Sequence, residues 1–184
     1  MKSIILASAS PRRQQLLSQI GISFEVYVPS VDENAAGSAV QRVSTLSQKK
    51  ARAALADLGT GHIILAADTL VEAHRQVLGK PGDKARALAM LRALSGAWHN
   101  VYTGCCLIGE DGKEQLFYEH TRVHMRQISE QAALEYIASG EPMDKAGAYA
   151  IQGFAARWVD RIDGDYANVV GLPLAKVARA LERL

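Results

Sequence analysis

The sequence predicts an α/β fold built on a mixed β-sheet flanked by helices, and three observations carry that expectation. Short aliphatic runs of strand character alternate with segments of helical spacing along the chain. The stretches Trp98 to Ile108 and Glu114 to Met125 flank the turn Glu110-Asp-Gly112, so the middle of the chain reads as two long antiparallel strands. With 184 residues, 48% of them hydrophobic and 22% charged, the chain is long enough for a substantial core. No linker, internal repeat or low-complexity tract divides it, and a single domain over residues 1–184 is expected.

Each element has a local reason. Ile4-Ile5-Leu6 is a β-like run, after which Ser10 can cap a helix with Pro11 in its first turn, Leu16, Leu17 and Ile20 on its apolar face, and Gly21 as its stop. Phe24-Glu-Val-Tyr-Val28 alternates like a strand, and Pro29 to Gly37 is a loop holding Asp32 and Glu33. Val40, Val43, Leu46, Ala54 and Leu55 keep helical spacing up to Gly59, which places Lys49 and Lys50 within a helix. His62 to Ala67 reads as a buried strand ending at Asp68-Thr69, with Leu70 to Ala73 extended before a turn and Gly79-Lys80-Pro81. A helix follows from Asp83 to Leu94, with Ala85, Leu88, Leu91 and Leu94 inward and Gly96 closing it. Gln131 to Ala138 is helical and stops at Gly140, and Asp144 to Gly153 is a glycine-punctuated structured loop. Trp158 to Ile162 is a short strand, Asn168 to Pro173 a corner, and a final helix runs from Pro173 to Leu184.

Composition narrows the function. A formal net charge of +2 is too small for a general nucleic-acid binder, so any basic site is local. Adjacent Cys105 and Cys106 point to opposite faces of a strand and have no zinc-site spacing, which suits a reducing compartment. The short aliphatic start is no signal peptide and no stretch approaches a membrane span, so a cytoplasmic protein is expected. His120 and His124 share a strand face without a nearby Cys or acidic ligand pattern, which argues against a histidine metal site. Tyr149, Trp158 and Tyr166 read as core or rim aromatics.

The chemistry concentrates at strand ends. A strand feeding a helix through Ser8, Ser10 and Pro11 presents unpaired N–H groups, the positive end of the helix dipole and serine hydroxyls, which together make an anion site suited to phosphate. Arg12 and Arg13 in that first turn oppose the dipole and require either an anionic ligand or a carboxylate partner; a solvated basic turn is the alternative. Asp68 stands where open sheets place ligands, and a carboxylate there can hold Mg²⁺ between phosphate oxygens, orient a water or simply cap a turn. Lys80, between Gly79 and Pro81, and Lys50, on a helix from which it can reach inward, can each neutralise phosphate. Glu33 can supply a second carboxylate for metal or water, or remain a solvated loop acid.

In order along the chain, Ser8-Ala-Ser-Pro-Arg-Arg13, Asp32-Glu33, Lys50-Ala51, Ala67-Asp-Thr69, Gly79-Lys-Pro81, Leu94-Ser-Gly96, Val101-Tyr-Thr-Gly104, Asp144-Lys-Ala-Gly-Ala-Tyr149, Ile151-Gln-Gly153 and Asn168-Val-Val-Gly-Leu-Pro173 resemble the Maf family of nucleoside triphosphate pyrophosphatases. The likeness covers nearly the whole chain. It implies a mixed-sheet α/β fold related in shape to the house-cleaning inosine triphosphate pyrophosphatases (the Maf/Ham1 architecture), with two lobes around a deep cleft. It further implies hydrolysis of a nucleoside triphosphate to the monophosphate and pyrophosphate with a divalent cation, Mg²⁺ or Mn²⁺, and suggests a homodimer. Carried over position by position, Asp68 matches the catalytic aspartate. Ser8, Arg13, Glu33, Lys50 and Lys80 match the phosphate and metal cluster, with Glu33 and Asp68 as metal ligands. Arg12, Thr69 and Gln152 match the positions that distinguish subfamilies, and the Asp144 to Gly153 string resembles the branch acting on dTTP and UTP.

A glutamine amide can donate to O4 and accept from N3–H of uracil or thymine, so the residue type at 152 fits that base, and a flipped amide fits cytosine. His74-Arg-Gln-Val77 departs from the family's tighter acidic or glycine-containing turn, which leaves that hairpin open. The expected partner is a small-molecule nucleotide, with neither nucleic acid nor membrane. A nucleotide-binding regulator of cell division with incidental hydrolysis, and a 7-methyl-GTP pyrophosphatase, are the alternative readings.

Overall fold

The structure, a computed structural model, describes residues 4–184; Met1, Lys2 and Ser3 of the opening motif lie outside the described residues. The chain runs β1 (Ile4–Ala7), α1 (Pro11–Gln19), β2 (Phe24–Tyr27), α2 (Ala39–Leu58), β3 (Ile63–Ala73), β4 (Gln76–Leu78), α3 (Lys84–Leu94), β5 (Trp98–Ile108), β6 (Glu114–Met125), α4 (Glu130–Ala138), β7 (Val159–Asp163), α5 (Tyr166–Val170) and α6 (Leu174–Leu181). Short 3₁₀ turns at Glu141–Asp144, Ala146–Ala148 and Phe154–Trp158 fill the interval between α4 and β7.

The strands form one mixed sheet in the order β2-β1-β3-β5-β6-β7, with β4 paired to β3. β1 is parallel to both β2 and β3, as expected where helices make the crossovers. β4 is antiparallel to β3, and β7 to β6. The expected mixed-sheet α/β class is therefore the observed one.

The residues group into two compact units. One comprises Met1–Asp68, Thr103–Glu119 and Gly171–Leu184, and the other Thr69–Tyr102 and His120–Val170. In the first, small side chains of α2 lie against the sheet: Ala51 and Ala54 pack with Ile5, Ala7, Ile64, Ala66, Cys106 and Ile108. In the second, α3 packs against α4, and Leu91, Leu94, Tyr136 and Ile137 are buried. Both cysteines are free and buried, and burial pushes their thiols up to about 12, so neither is a thiolate nucleophile at neutral pH.

Several local expectations are corrected. Ser10 occupies the N-cap position of α1, but its side chain makes no capping hydrogen bond. Its own N–H is turned toward Ser8 Oγ at 3.3 Å. Ile20 is 39% exposed because the helix ends at Gln19 and the chain turns away at Gly21, whose φ is +71°. On α3 the buried stripe is Ala87, Leu91 and Leu94, a clean i, i+4, i+7 set, while Ala85 is exposed. The corner at Asn168 lies inside a short helix, α5, rather than a loop.

The β3–β4 connection does form a two-residue hairpin, with His74 at φ +51° and Arg75 at φ +63°. Neither residue is a glycine, so each left-handed position costs about 1–2 kcal/mol. A hydrogen bond from His74 Nε2 to the Ala93 carbonyl, 3.0 Å, offsets part of that cost.

His99 on β5 is buried, and its Nε2 shares a 2.7 Å hydrogen bond with the Tyr149 hydroxyl. Burial pulls its pKa down to about 4, with His124 acting in the same direction. An unfolded histidine titrates near pH 6.5, so the folded chain resists a proton that the unfolded chain accepts. The stability from neutral His99 is full above about pH 6.5 and is lost as pH falls toward about 4, a total of about 3 kcal/mol. Urea midpoints of the parent and of His99→Phe, compared at about pH 7.5 and about pH 4.5, should show a smaller acid loss in the variant. Equal losses would show that His99 does not carry this dependence.

Candidate active site

Ser8 follows the end of β1 and is 7% exposed. Arg13 stands in the first turn of α1, where Nη1 donates to Ser8 Oγ at 3.0 Å and Nε donates to the Gly171 carbonyl at 2.8 Å. The guanidinium is thus held on two sides by groups far apart in sequence. Burial lowers its pKa from the ordinary arginine value, while the negative charges of Asp68 and Glu33 act to raise it. It stays charged at any physiological pH. Because Ser10 does not cap α1, its first-turn N–H groups are not occupied by that side chain, which suits the expected anion site.

The second part of the site centres on Lys50. Its Nζ lies 2.7 Å from Asp68 Oδ1 and 2.9 Å from Glu33 Oε1. Lys50 and Asp68 are largely shielded, with side chains 13% and 14% exposed, whereas Glu33 is 61% exposed. Two carboxylates, one from a loop and one from the middle of β3, therefore converge on one ammonium from a helix; β3 does not end at Asp68-Thr69 as the sequence suggested but runs on to Ala73, because its far half pairs with β4. Such a pair of hard oxygen donors fits Mg²⁺ or Mn²⁺, which typically binds through one or two carboxylates plus substrate phosphate oxygens.

The backbone explains why these groups meet. α2 begins with a capping box: Ser38 Oγ accepts from Gln41 N–H at 3.3 Å, and Gln41 Oε1 accepts from Ser38 N–H at 2.9 Å. Gly37 precedes it at φ +102°, and a Cβ there would sit 2.5 Å from Gln41 Oε1. The loop carrying Glu33 is pinned to the helix by Lys49, whose Nζ donates to the Asn34 carbonyl at 3.1 Å. Asp32 Oδ1 closes the same loop by accepting from Asn34 N–H at 3.0 Å. Against the sheet, Gly104 of β5 lets α2 come close, since a Cβ on it would lie 2.5 Å from the Val43 carbonyl oxygen. Lys50 lies about two turns further along that helix.

Arg12, in the same turn as Arg13, adds like charge that works to lower the Arg13 pKa. Arg12 is half-buried on α1. Thr69, half-buried, and Lys80 and Gln152, both exposed, belong to the second unit. There, the carbonyl of Gly79, just before Lys80, accepts from Gly147 N–H at 3.1 Å, so the Asp144 to Tyr149 segment braces the Gly-Lys-Pro turn. Gly147 has φ +71°, and a Cβ on it would lie 3.0 Å from Val71 Cγ1. Lys145 pairs with Asp144 in the same segment. Gln152 rides a tight turn closed by the Gly153 N–H to Ala150 carbonyl hydrogen bond, 3.1 Å.

Lys49 and the Gly171 carbonyl were not singled out by sequence reasoning. Adjacent lysines on one helix, pointing in different directions, were the available signal for the first; a backbone carbonyl distant in sequence leaves none. His120 and His124 are each engaged by a side chain in the second unit, through Asn100 Oδ1 at 2.9 Å and Asp160 Oδ1 at 2.6 Å. A cavity of about 1070 Å³ bordered by Ile22, Ile63, Leu174 and Leu181 contains none of the candidate residues.

The fold is that of a mixed-sheet α/β protein. The HAM1 protein from Coxiella burnetii superposes with a TM-score of 0.57 over 100% of both chains at 18% identity, a likeness of fold. By sequence, residues 3–184 match the model of the Maf-like protein family, and the chain belongs to that family. The dTTP/UTP pyrophosphatase of Geobacillus sp. (strain WCH70) is 46% identical over 186 residues, spanning 100% of this chain and 99% of that protein. The dTTP/UTP pyrophosphatase of Caldicellulosiruptor bescii is 45% identical over 192 residues, spanning 100% of this chain and 96% of that protein.

Gly104→Ala tests the close approach of α2. Its new methyl would meet backbone rather than a flexible side chain, so the helix must shift, with an expected loss of about 3 kcal/mol. Calorimetry should show a clearly lowered Tm; a value within about 2 °C of the parent would exclude this contact as a constraint.

Proposed function

We propose that this chain is a nucleoside triphosphate pyrophosphatase that hydrolyses dTTP and UTP to the nucleoside monophosphate and pyrophosphate. The observation that carries the reading is the junction of Lys50, Asp68 and Glu33 in a unit that also holds Arg13 against Ser8. Its full-length likeness to two pyrophosphatases with that substrate pair supports the choice of substrate.

In this reading Asp68 orients a water and accepts its proton as the water oxygen attacks the α-phosphorus. The bond from that phosphorus to the bridging oxygen breaks, and pyrophosphate leaves with both electrons of the bond. Glu33 and Asp68 would hold a divalent cation whose contribution is to neutralise phosphate oxygens. Lys50, already poised between carboxylates, turns its charge to the phosphates, with Arg13 and Lys80 as further phosphate contacts and Ser8 as a hydroxyl donor. The protein's part is to position and to neutralise. Arg12, Thr69 and Gln152 select the base, Gln152 by pairing with O4 and N3–H of uracil or thymine.

Asp68→Asn keeps the shape of the side chain but cannot take a proton. Turnover of dTTP and UTP, followed by pyrophosphate release, should fall by about 10²- to 10⁴-fold in a protein that still melts cooperatively. Near-normal turnover would remove Asp68 from the chemistry. A panel of canonical and methylated nucleoside triphosphates with Mg²⁺ or Mn²⁺ should give the highest kcat/KM for dTTP and UTP. Preference for 7-methyl-GTP would overturn the base assignment.

A further inference from the structure

The turn that carries Gln152 is gripped on both sides by one pair of side chains. Upstream, the Ala150 N–H donates to the Tyr136 hydroxyl oxygen at 3.3 Å. That hydroxyl in turn donates to Glu141 Oε1 at 2.8 Å. Downstream, the Phe154 N–H donates to the same carboxylate, at 3.1 Å to Oε1 and 3.3 Å to Oε2. The path Ala150, Tyr136, Glu141, Phe154 therefore closes a ring around Ile151-Gln152-Gly153.

Gly153 belongs to the same device. A Cβ at that position would fall 2.0 Å from Glu141 Oε1, so the carboxylate occupies the space a side chain would need. Behind the ring lies an aromatic cluster in which Tyr136 stacks with Phe154 at 5.7 Å and meets Trp158 edge-on at 5.2 Å. Tyr136 is 1% exposed, while Gln152 is exposed. A hydrogen-bonded mount built on a buried tyrosine and a half-buried glutamate thus carries an exposed amide. An amide that distinguishes one base edge from another must be held to within about 0.5 Å, and its own side-chain torsions add freedom, so the backbone beneath it has to be fixed.

We propose that Tyr136 and Glu141 are positioning residues for base selection, holding the backbone on each side of Gln152 so that its amide meets the pyrimidine edge in one place. The inference rests on the proposed role of Gln152. Neither residue touches substrate; both act through the turn.

The test compares kcat and KM for UTP and CTP in Tyr136→Phe, Glu141→Gln, Gln152→Ala and the Gln152→Ala double variants. Tyr136→Phe removes the hydroxyl that joins Ala150 to Glu141, and Glu141→Gln keeps shape while replacing one acceptor oxygen by a donor. Each single variant should lower the UTP-to-CTP ratio of kcat/KM by about five-fold or more, through a raised KM for UTP with kcat little changed. In the Gln152→Ala background the same substitutions should leave the ratio where Gln152→Ala put it. Gly153→Ala, which pushes the turn off the carboxylate from the other side, should reproduce the loss and serves if Tyr136→Phe does not fold.

If the position-136 and position-141 variants melt earlier but keep the parental ratio while Gln152→Ala lowers it, the mount is structural only and the proposal fails with the Gln152 reading intact. If they lower the ratio equally with Ala at 152, their effect does not pass through Gln152 and the proposal fails. If Gln152→Ala itself leaves the ratio unchanged, the base reading falls and this inference falls with it.

Discussion

One ammonium between two carboxylates sets the terms for the first unit. Glu33 and Asp68 brought together alone would repel, and Lys50 at 2.9 and 2.7 Å makes their convergence tolerable. The Asp68 contact is the more shielded of the two, so it keeps more of its Coulomb attraction, while water and salt screen the exposed Glu33 contact. Leaving a shielded charge of this kind without its partner typically costs about 3–5 kcal/mol. That requirement ties a loop, a helix and the middle of a strand to a single geometry, and Arg13 senses the same two acids.

Geometry at this point is inherited from apolar packing and from glycine. Ala51 and Ala54 give α2 a flat face, and Gly104 lacks a methyl that would collide with the Val43 backbone. The neighbouring lysines divide the work: Lys49 ties down the loop through the Asn34 carbonyl, and Lys50 reaches the acids. The second unit follows the same logic with different parts. Gly147 at φ +71° braces the Gly79 carbonyl ahead of Lys80, and Gly153 yields its side-chain space to Glu141 beside Gln152. Gly104, Gly147 and Gly153 of the motif strings thus mark close approaches, which a chain with a side chain at each of those positions could not make.

Legibility in the sequence followed the range of the interaction. Strands and helices whose apolar residues keep a period of two or 3.6 were readable, because that period is a property of neighbouring residues. The errors fell where a tertiary partner overrides a local rule. Ala85 fits an apolar stripe, yet the core lies a little way round the helix, on the side of Ala87. The turn expected after Ala73 is present although His74 and Arg75 have no preference for positive φ, because the pairing of Val71 with Leu78 and of Ala73 with Gln76 imposes it.

For the site, residue type and order pointed to anion chemistry: hydroxyls and arginines at a helix start, an acid in a strand, lysines within reach; the sequence misplaced only the strand's end, which lies at Ala73 and not at Asp68. What local order could not contain was the pairing itself. Lys50 and Asp68, or Arg13 and the Gly171 carbonyl, are unconnected until the sheet forms, because hydrogen bonds and ion pairs act over about 3 Å of space and take no account of separation along the chain. Chain composition and periodicity decided which groups were available. Packing decided which of them share a charge, since only the folded backbone brings their atoms within that range.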